Sequence, residues 1–301
     1  MKLTFGAVMF HWKPDILKAF YDEMAKADVD RVVVGELVCS KRLPFYEAMI
    51  PEFVAALQEA GKDVVLSALA LPTLKRERKT LAGLGEMGLK VEVNDLTMLQ
   101  YLDPGQPFTV GPLLNVYNRG TVDYLIGRGA TSICLPPELP LESVSVLAPH
   151  ITGQGAEAEV WAYGRLPLAM SGRCYHARLA DRAKDNCQFV CEDDPDGLPV
   201  DTLDGQKFLA VNGVQTLSDS YACMAGDIDV LREAGVTALR LSPHTGAMGA
   251  VASVFRAVSQ GSVSGEEALQ KLHALAPERA FSNGFLFGKT GAEWSHDKEM
   301  A

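Results

Sequence analysis

The chain is expected to fold as a (β/α)8 TIM-like barrel, and three observations point there. Eight short runs rich in β-branched and apolar residues recur along 301 residues. Stretches with helically spaced apolar side chains fall between them, and the length suits a single closed α/β barrel. The rhythm breaks once, over residues 165–237, between the seventh and eighth strands. That break has little periodicity in its first half and carries most of the chemistry-bearing residues, as a long functional connection does.

In chain order the strand candidates are KLTFGAV (2–8), RVVVGELV (31–38), DVVLSALAL (63–71), KVEVND (90–95), PFTVGPLLNV (107–116), SICLPP (132–137), EAEVWAYG (157–164) and ALRLSP (238–243). The first helix, PDILKAFYDEMAKA (14–27), starts on a proline suited to a first turn. The second, 45–61, closes on Gly61 as a C-terminal cap. Further helical patterns cover 121–130 and 248–258. The expected organisation is a barrel domain over 1–260, with a cysteine-rich insertion at about 165–215, and a more polar C-terminal extension over 261–301. The closing EWSHDKEMA is expected to fray.

Composition narrows the function. A net charge of −10 leaves no basic field for nonspecific nucleic-acid binding. The start, MKLTFGAVMFHWK, lacks the apolar core of a signal peptide, and no apolar run reaches membrane-spanning length, so a cytoplasmic protein is expected. Six cysteines in such a chain point to metal or redox chemistry before disulfides.

Four of these cysteines form a set. Cys174, Cys187 and Cys191 lie in SGRCYHARLADRAKDNCQFVC, and Cys39 ends the apolar run RVVVGELVC. Four thiolates complete the ligand shell of an iron–sulfur cluster and equally of tetrahedral zinc. The loop holding three of them is polar, unlike the surroundings of inert core thiols. Lys41, Arg42, Arg173 and Arg178 lie close in sequence, where they either offset thiolate charge or keep the surface soluble. Cys134 and Cys223 read as core residues. His176 is either a further ligand or a loop histidine.

Active sites of such barrels sit where strands end. There the sequence places His11, Glu36, Ser67, Asp95, Asn115 with Asn118, Glu138, Tyr163 with Arg165, and Ser242 with His244, and Cys39 falls on the same face. Glu36 interrupts an apolar strand, so it is either an acid–base group raised by burial or a structural carboxylate. Asp95 and Arg165 follow as catalytic candidates on the same rim logic. His11 and Trp12 either stack on an aromatic substrate or pack the strand end. GAMGA (246–250) fits no phosphate-loop pattern, and no G-x-S-x-G or H-E-x-x-H occurs.

The segment EVWAYGRLPLAMSGRC (159–174) resembles the signature of the U32 family, once classed as peptidases, through Glu159, Trp161, Gly164 and the close Ser171-Gly172-Arg173-Cys174. Many members carry a cysteine where this chain has Pro167 and a histidine where it has Tyr163. Cys39 in GELVCSKR (35–42) looks like the replacement ligand. With VVLSALAL, YGRLPLA, CYHARLADRAKDNCQFVC, VNGVQTLS and RLSP, this resembles the V component of the O2-independent hydroxylation system of ubiquinone biosynthesis. The resemblance implies a [4Fe–4S] cluster on Cys39, Cys174, Cys187 and Cys191, and a heterodimer with a homologous U-type subunit. It also implies hydroxylation of the aromatic ring of a small quinone precursor, with prephenate as a possible oxygen source. A metal-ordered scaffold subunit, a U32-type peptidase and an RNA-modifying enzyme are the competing expectations.

Overall fold

The computed structural model describes residues 1–295, so the last six residues of the expected frayed tail lie outside the described residues. Twelve strands are present among them: β1 Lys2–Phe5, β2 Arg31–Val34, β3 Asp63–Ser67, β4 Lys90–Val93, β5 Phe108–Val110, β6 Ala130–Cys134, β7 Glu157–Met170, β8 Leu198–Asp201, β9 Lys207–Asn212, β10 Gln215–Cys223, β11 Ala238–Leu241 and β12 Phe281–Ser282. β1 to β7 pair in parallel and in order, and β11 pairs in parallel with both β7 and β1. Eight parallel strands therefore close into a barrel, as the strand rhythm predicts.

The helices are α1 Pro14–Lys26, α2 Ile50–Glu59, α3 Lys75–Glu86, α4 Arg119–Gly127, α5 Leu141–Thr152, α6 Tyr175–Leu179, α7 Ile228–Glu233, α8 Met248–Ser259 and α9 Gly265–Leu275. α1 starts on Pro14 and buries Leu17, Phe20, Tyr21 and Met24, a stripe at helical spacing. Two 3-10 turns, Leu43–Phe45 and Glu47–Met49, occupy the start of the expected second helix. Pro51 then suits the first turn of α2.

Most ladders are shorter than the apolar runs suggest. β2 stops at Val34 although Leu37 and Val38 are just as buried. Those side chains pack in loops over the barrel end, and burial without a paired neighbour makes no strand. β7 is the reverse case. It continues to Met170 because β10 runs antiparallel beside its second half, and β9 and β8 extend that sheet. The sequence reading found no strand in that connection. Residues after 261 are equally integrated, since β12 pairs with β10.

The barrel interior is unusually polar. Arg240 on β11 forms ion pairs with Glu92 on β4, across the barrel, and with Glu159 on β7, with Nε–Oε2 at 2.8 Å in the second pair. β4 and β11 are not neighbours in the sheet, so the contact must run through the interior. Thr4, Thr109 and Ser132 are buried with them, where such barrels ordinarily stack aliphatic side chains. Burial alone would push the Glu159 carboxyl up, but Arg240, then Arg31 and Thr4, hold it below its ordinary value. Arg31 in turn bridges Asp63 and Glu157 at 2.9 Å each, tying β2 to β3 and β7.

Removing one member strands the others as buried charge. Arg240→Leu is expected to cost about 3–5 kcal/mol in urea unfolding. Because the folded pKa of Glu159 is depressed, its contribution is present above the ordinary carboxylate range and is lost as pH falls through the depressed value. The unfolding midpoint of the wild type should therefore drop on acidification, and that of Glu159→Gln should drop less.

Candidate metal centre

The loop after β2 carries Cys39 and is pinned at every second or third residue. Glu36 Oε1 accepts the backbone N–H groups of Val38 and Cys39 at 2.7 and 2.9 Å, and Tyr46 donates its hydroxyl to Oε2 at 2.9 Å. Ser40 donates to Glu77 at the start of α3 at 2.6 Å. Lys41 donates to the carbonyl of Lys184 at 2.6 Å, joining the loop to the cysteine-bearing connection. Burial pushes the Glu36 carboxyl up, against Arg42, the Cys39 and Val38 amides and the Tyr46 hydroxyl. Both its oxygens are engaged in holding this loop.

The connection between β7 and β8 brings the remaining thiols. Cys174 caps α6, its sulfur accepting the Ala177 N–H at 3.4 Å. Cys187 has right-handed helical dihedrals, while Gln188 and Phe189 have positive φ of 48° and 55°. A right-handed residue followed by a left-handed one turns successive N–H groups inward, an arrangement found at phosphate and iron–sulfur sites. Phe189 is seated on Phe45, with ring centroids 4.6 Å apart.

Arg42 lies between the two segments. Its guanidinium is 1 % exposed. Nη1 donates to the Met9 carbonyl at 3.0 Å and Nη2 to Asn212 Oδ1 at 2.6 Å, while Nε has no hydrogen-bond partner. Cys191, Glu36 and Cys39 are the groups whose charge it feels, in that order. Burial raises the Cys191 thiol, opposed by Arg42, with Cys174 and Cys39 as its other charged neighbours. Cys39, Cys174 and Cys191 thus share one neighbourhood, and Cys187 sits half-buried four residues before Cys191.

All six cysteines are free thiols. Among the described residues no three His, Cys, Asp or Glu side chains gather as a single ion would need. The donor set still fits an iron–sulfur group chemically: four thiols and a buried cation that forms no ion pair with a carboxylate among the described residues. His176 pairs with Asp194, its Nε2 3.0 Å from the carboxylate, and also feels the charge of Arg42.

The other expected rim residues mostly serve the fold. Asp95 and Asn118 accept N–H groups at helix starts, from Thr97 and Thr121. Asn115 takes a left-handed turn conformation, and Glu138 accepts from Tyr117. Arg165 donates to the carbonyls of Asp196, Ser218 and Asp219 and lies 5.5 Å from the Tyr221 ring, with Nη2 unpartnered. Tyr163 packs among Tyr221, His244 and Phe255. His11 lies 5.1 Å from Phe45 and 5.8 Å from Phe189, and Trp12 donates to the Pro195 carbonyl. Burial, then Arg42, lowers the His11 pKa to about 4. Ser67 and Ser242 are buried at their strand ends. Cys134 and Cys223 are fully buried, as expected. Missed altogether were Asn212, Tyr46 and Glu77; nothing local in sequence marks them, because their partners lie far along the chain.

These features define a (β/α)8 barrel whose β7–β11 connection packs against the loops that follow β1 and β2. The chain belongs to Peptidase family U32, whose sequence profile matches residues 16–296. Among solved structures, phospho-2-dehydro-3-deoxyheptonate aldolase from Thermotoga maritima matches at 11 % identity and a TM-score of 0.32, covering 92 % of this chain and 69 % of that one. A likeness at that level adds nothing to the fold read from strand pairing.

The clamp role of Glu36 has a measurable consequence. Glu36→Ala should destabilise the protein by about 1–3 kcal/mol in chemical unfolding. Tyr46→Phe, which leaves the two backbone donors satisfied, should cost less. Equal stability of Glu36→Ala and wild type would show that the carboxylate does not hold the loop.

Proposed function

We propose that the chain is the iron–sulfur subunit of an O2-independent hydroxylase acting on the ring of a ubiquinone precursor, together with a homologous U-type partner. The observation that carries this reading is the convergence of the Cys39 loop and the distant cysteine segment on one buried, unpaired arginine. A cation excluded from water needs a compensating anion. Arg42 feels the charge of Glu36, whose oxygens are engaged by the Val38 and Cys39 amides and the Tyr46 hydroxyl, and thiolates holding a cluster would add negative charge that four neutral thiols do not.

On this reading Cys39, Cys174, Cys187 and Cys191 hold a [4Fe–4S] cluster. When bound, such a group supplies one-electron transfer, since four cysteines leave no iron free for a substrate. The chain's own residues do the rest. Glu36, Tyr46 and Ser40 hold the Cys39 loop in place. Phe45, Phe189 and His11 cover it with packed rings. Tyr175, Leu179 and Phe208 are exposed on α6 and β9, elements in contact with each other, and offer apolar surface to the homologous partner. A cytoplasmic setting suits free thiols, and no helix among the described residues is long and apolar enough to cross a membrane. Prephenate as oxygen donor, and acid–base roles for Glu36, Asp95 or Arg165, belong to the same proposal.

A scaffold whose metal only orders the connection shares the same ligands. Substituting Glu36, Asp95 and Arg165 separates the two, because a scaffold would sustain anaerobic quinone formation in variants that still fold. A peptidase is not favoured, as no nucleophile–base pair stands out at the barrel mouth among the described residues. Anaerobic purification with iron, sulfide and zinc analysis provides the direct test. About four irons and four sulfides per chain are expected, lost in Cys39→Ala and in Cys191→Ala. One zinc and no sulfide would sink the redox reading.

A further inference from the structure

We propose that Arg42 is a positioning residue that raises the reduction potential of the four-cysteine site through its fixed charge, without acting as a ligand. The inference rests on the cluster reading above and deepens it. The protein itself offers the comparison that carries the argument, because it buries four arginines almost completely, Arg31, Arg42, Arg165 and Arg240, and among the described residues all but Arg42 form an ion pair with a carboxylate. Arg240 behaves as a structural arginine, paired with Glu92 and Glu159. Arg42 is equally buried but forms no such pair among the described residues, and one of its N–H groups has no partner. A buried guanidinium cannot neutralise itself by losing a proton. Its remaining field is therefore directed at the groups around it, Cys191 first, then Glu36 and Cys39.

The guanidinium is also prevented from moving away. Asn212 receives Nη2, and its own Nδ2 is committed to the carbonyls of Cys191 and Asp194 at 3.0 and 2.8 Å. Met9 receives Nη1. Gly213 has a φ of +69°, and a methyl group there would overlap Nη2. Glycine at 213 thus answers two demands at once, a left-handed turn and a close approach by the guanidinium. Such a rigid mount suits an electrostatic task better than packing, for which a flexible aliphatic stem suffices.

The physical effect has a definite sign. Reduction adds one electron from an external reductant such as dithionite and breaks no covalent bond. The more negative state is stabilised by a fixed cation in a medium that screens poorly, so the potential is higher with Arg42 present than without it. A fully exposed charge would exert much less influence, because water and salt screen it.

The test uses the full chain, loaded anaerobically, as wild type, Arg42→Lys, Arg42→Gln and Gly213→Ala. Iron and sulfide are counted first; dithionite titration followed by electron paramagnetic resonance then gives the midpoint. Arg42→Gln is expected to disfavour reduction by about tenfold, a fall of about 59 mV for a one-electron couple. Arg42→Lys should fall less, since it keeps the charge, and Gly213→Ala should fall in between as the guanidinium is pushed aside. An unchanged midpoint in loaded Arg42→Gln overturns the proposal, as do equal shifts in the Gln and Lys variants, which would mark shape rather than charge as the cause. Loaded wild type beside empty Lys, Gln and Ala variants also overturns it, leaving Arg42 with a role in assembly. Wild type that takes up no iron and sulfide overturns the cluster reading itself, and this inference with it.

Discussion

A guanidinium keeps its charge wherever it is placed, so burying Arg42 obliges everything around it to respond. Two stretches that are distant in sequence do so. The loop after β1 supplies the Met9 carbonyl, β9 supplies Asn212, and the turn after β9 leaves room at Gly213. The thiols of Cys191 and Cys39 occupy the remaining side. This side chain and the contact of Lys41 with the Lys184 carbonyl are two ties between the loop after β2 and the connection over the barrel end.

The barrel beneath is organised by the opposite use of the same chemistry. Arg240 and its two glutamates form a closed set, with charge met by charge across the interior. Pairs of this kind contribute little net stability compared with apolar packing, yet losing one partner is costly. They therefore specify the arrangement of β4, β7 and β11 more than they strengthen it. Arg31, Arg165 and Arg240 are thus each met by a carboxylate, whereas Arg42 forms no ion pair among the described residues and faces Cys191, Glu36 and Cys39.

Backbone strain falls in the same place. Gln188 and Phe189 both adopt left-handed conformations between Cys187 and Cys191, each costing on the order of 1–3 kcal/mol for residues other than glycine. Phe189 packs against Phe45 and His11, so of the two expected roles for His11, substrate stacking or packing, the rings show packing. The aromatic packing and the strained turn belong to one device.

The sequence by itself determined the barrel, because β-branched runs alternating with amphipathic helices are local signals that survive without knowledge of neighbours. It likewise singled out the four cysteines, whose type and crowding report chemistry directly. Strand lengths were less legible: Leu37, Val38, Leu69 and Val116 are as buried as any strand residue but lie outside the ladders, since hydrophobicity records burial and not hydrogen-bonded pairing. The sheet of β8, β9 and β10 was hidden because antiparallel pairing with β7 is a nonlocal event. Only the tertiary structure decided the roles of single polar residues. Glu36 became a loop clamp, Asp95 a cap and Arg165 a carbonyl-binding strut once their partners were in place. Arg42 is the sharpest case: one cation among 28 in the sequence, it is set apart by burial beside thiols, and burial beside a particular neighbour is a property of the fold and not of the residue.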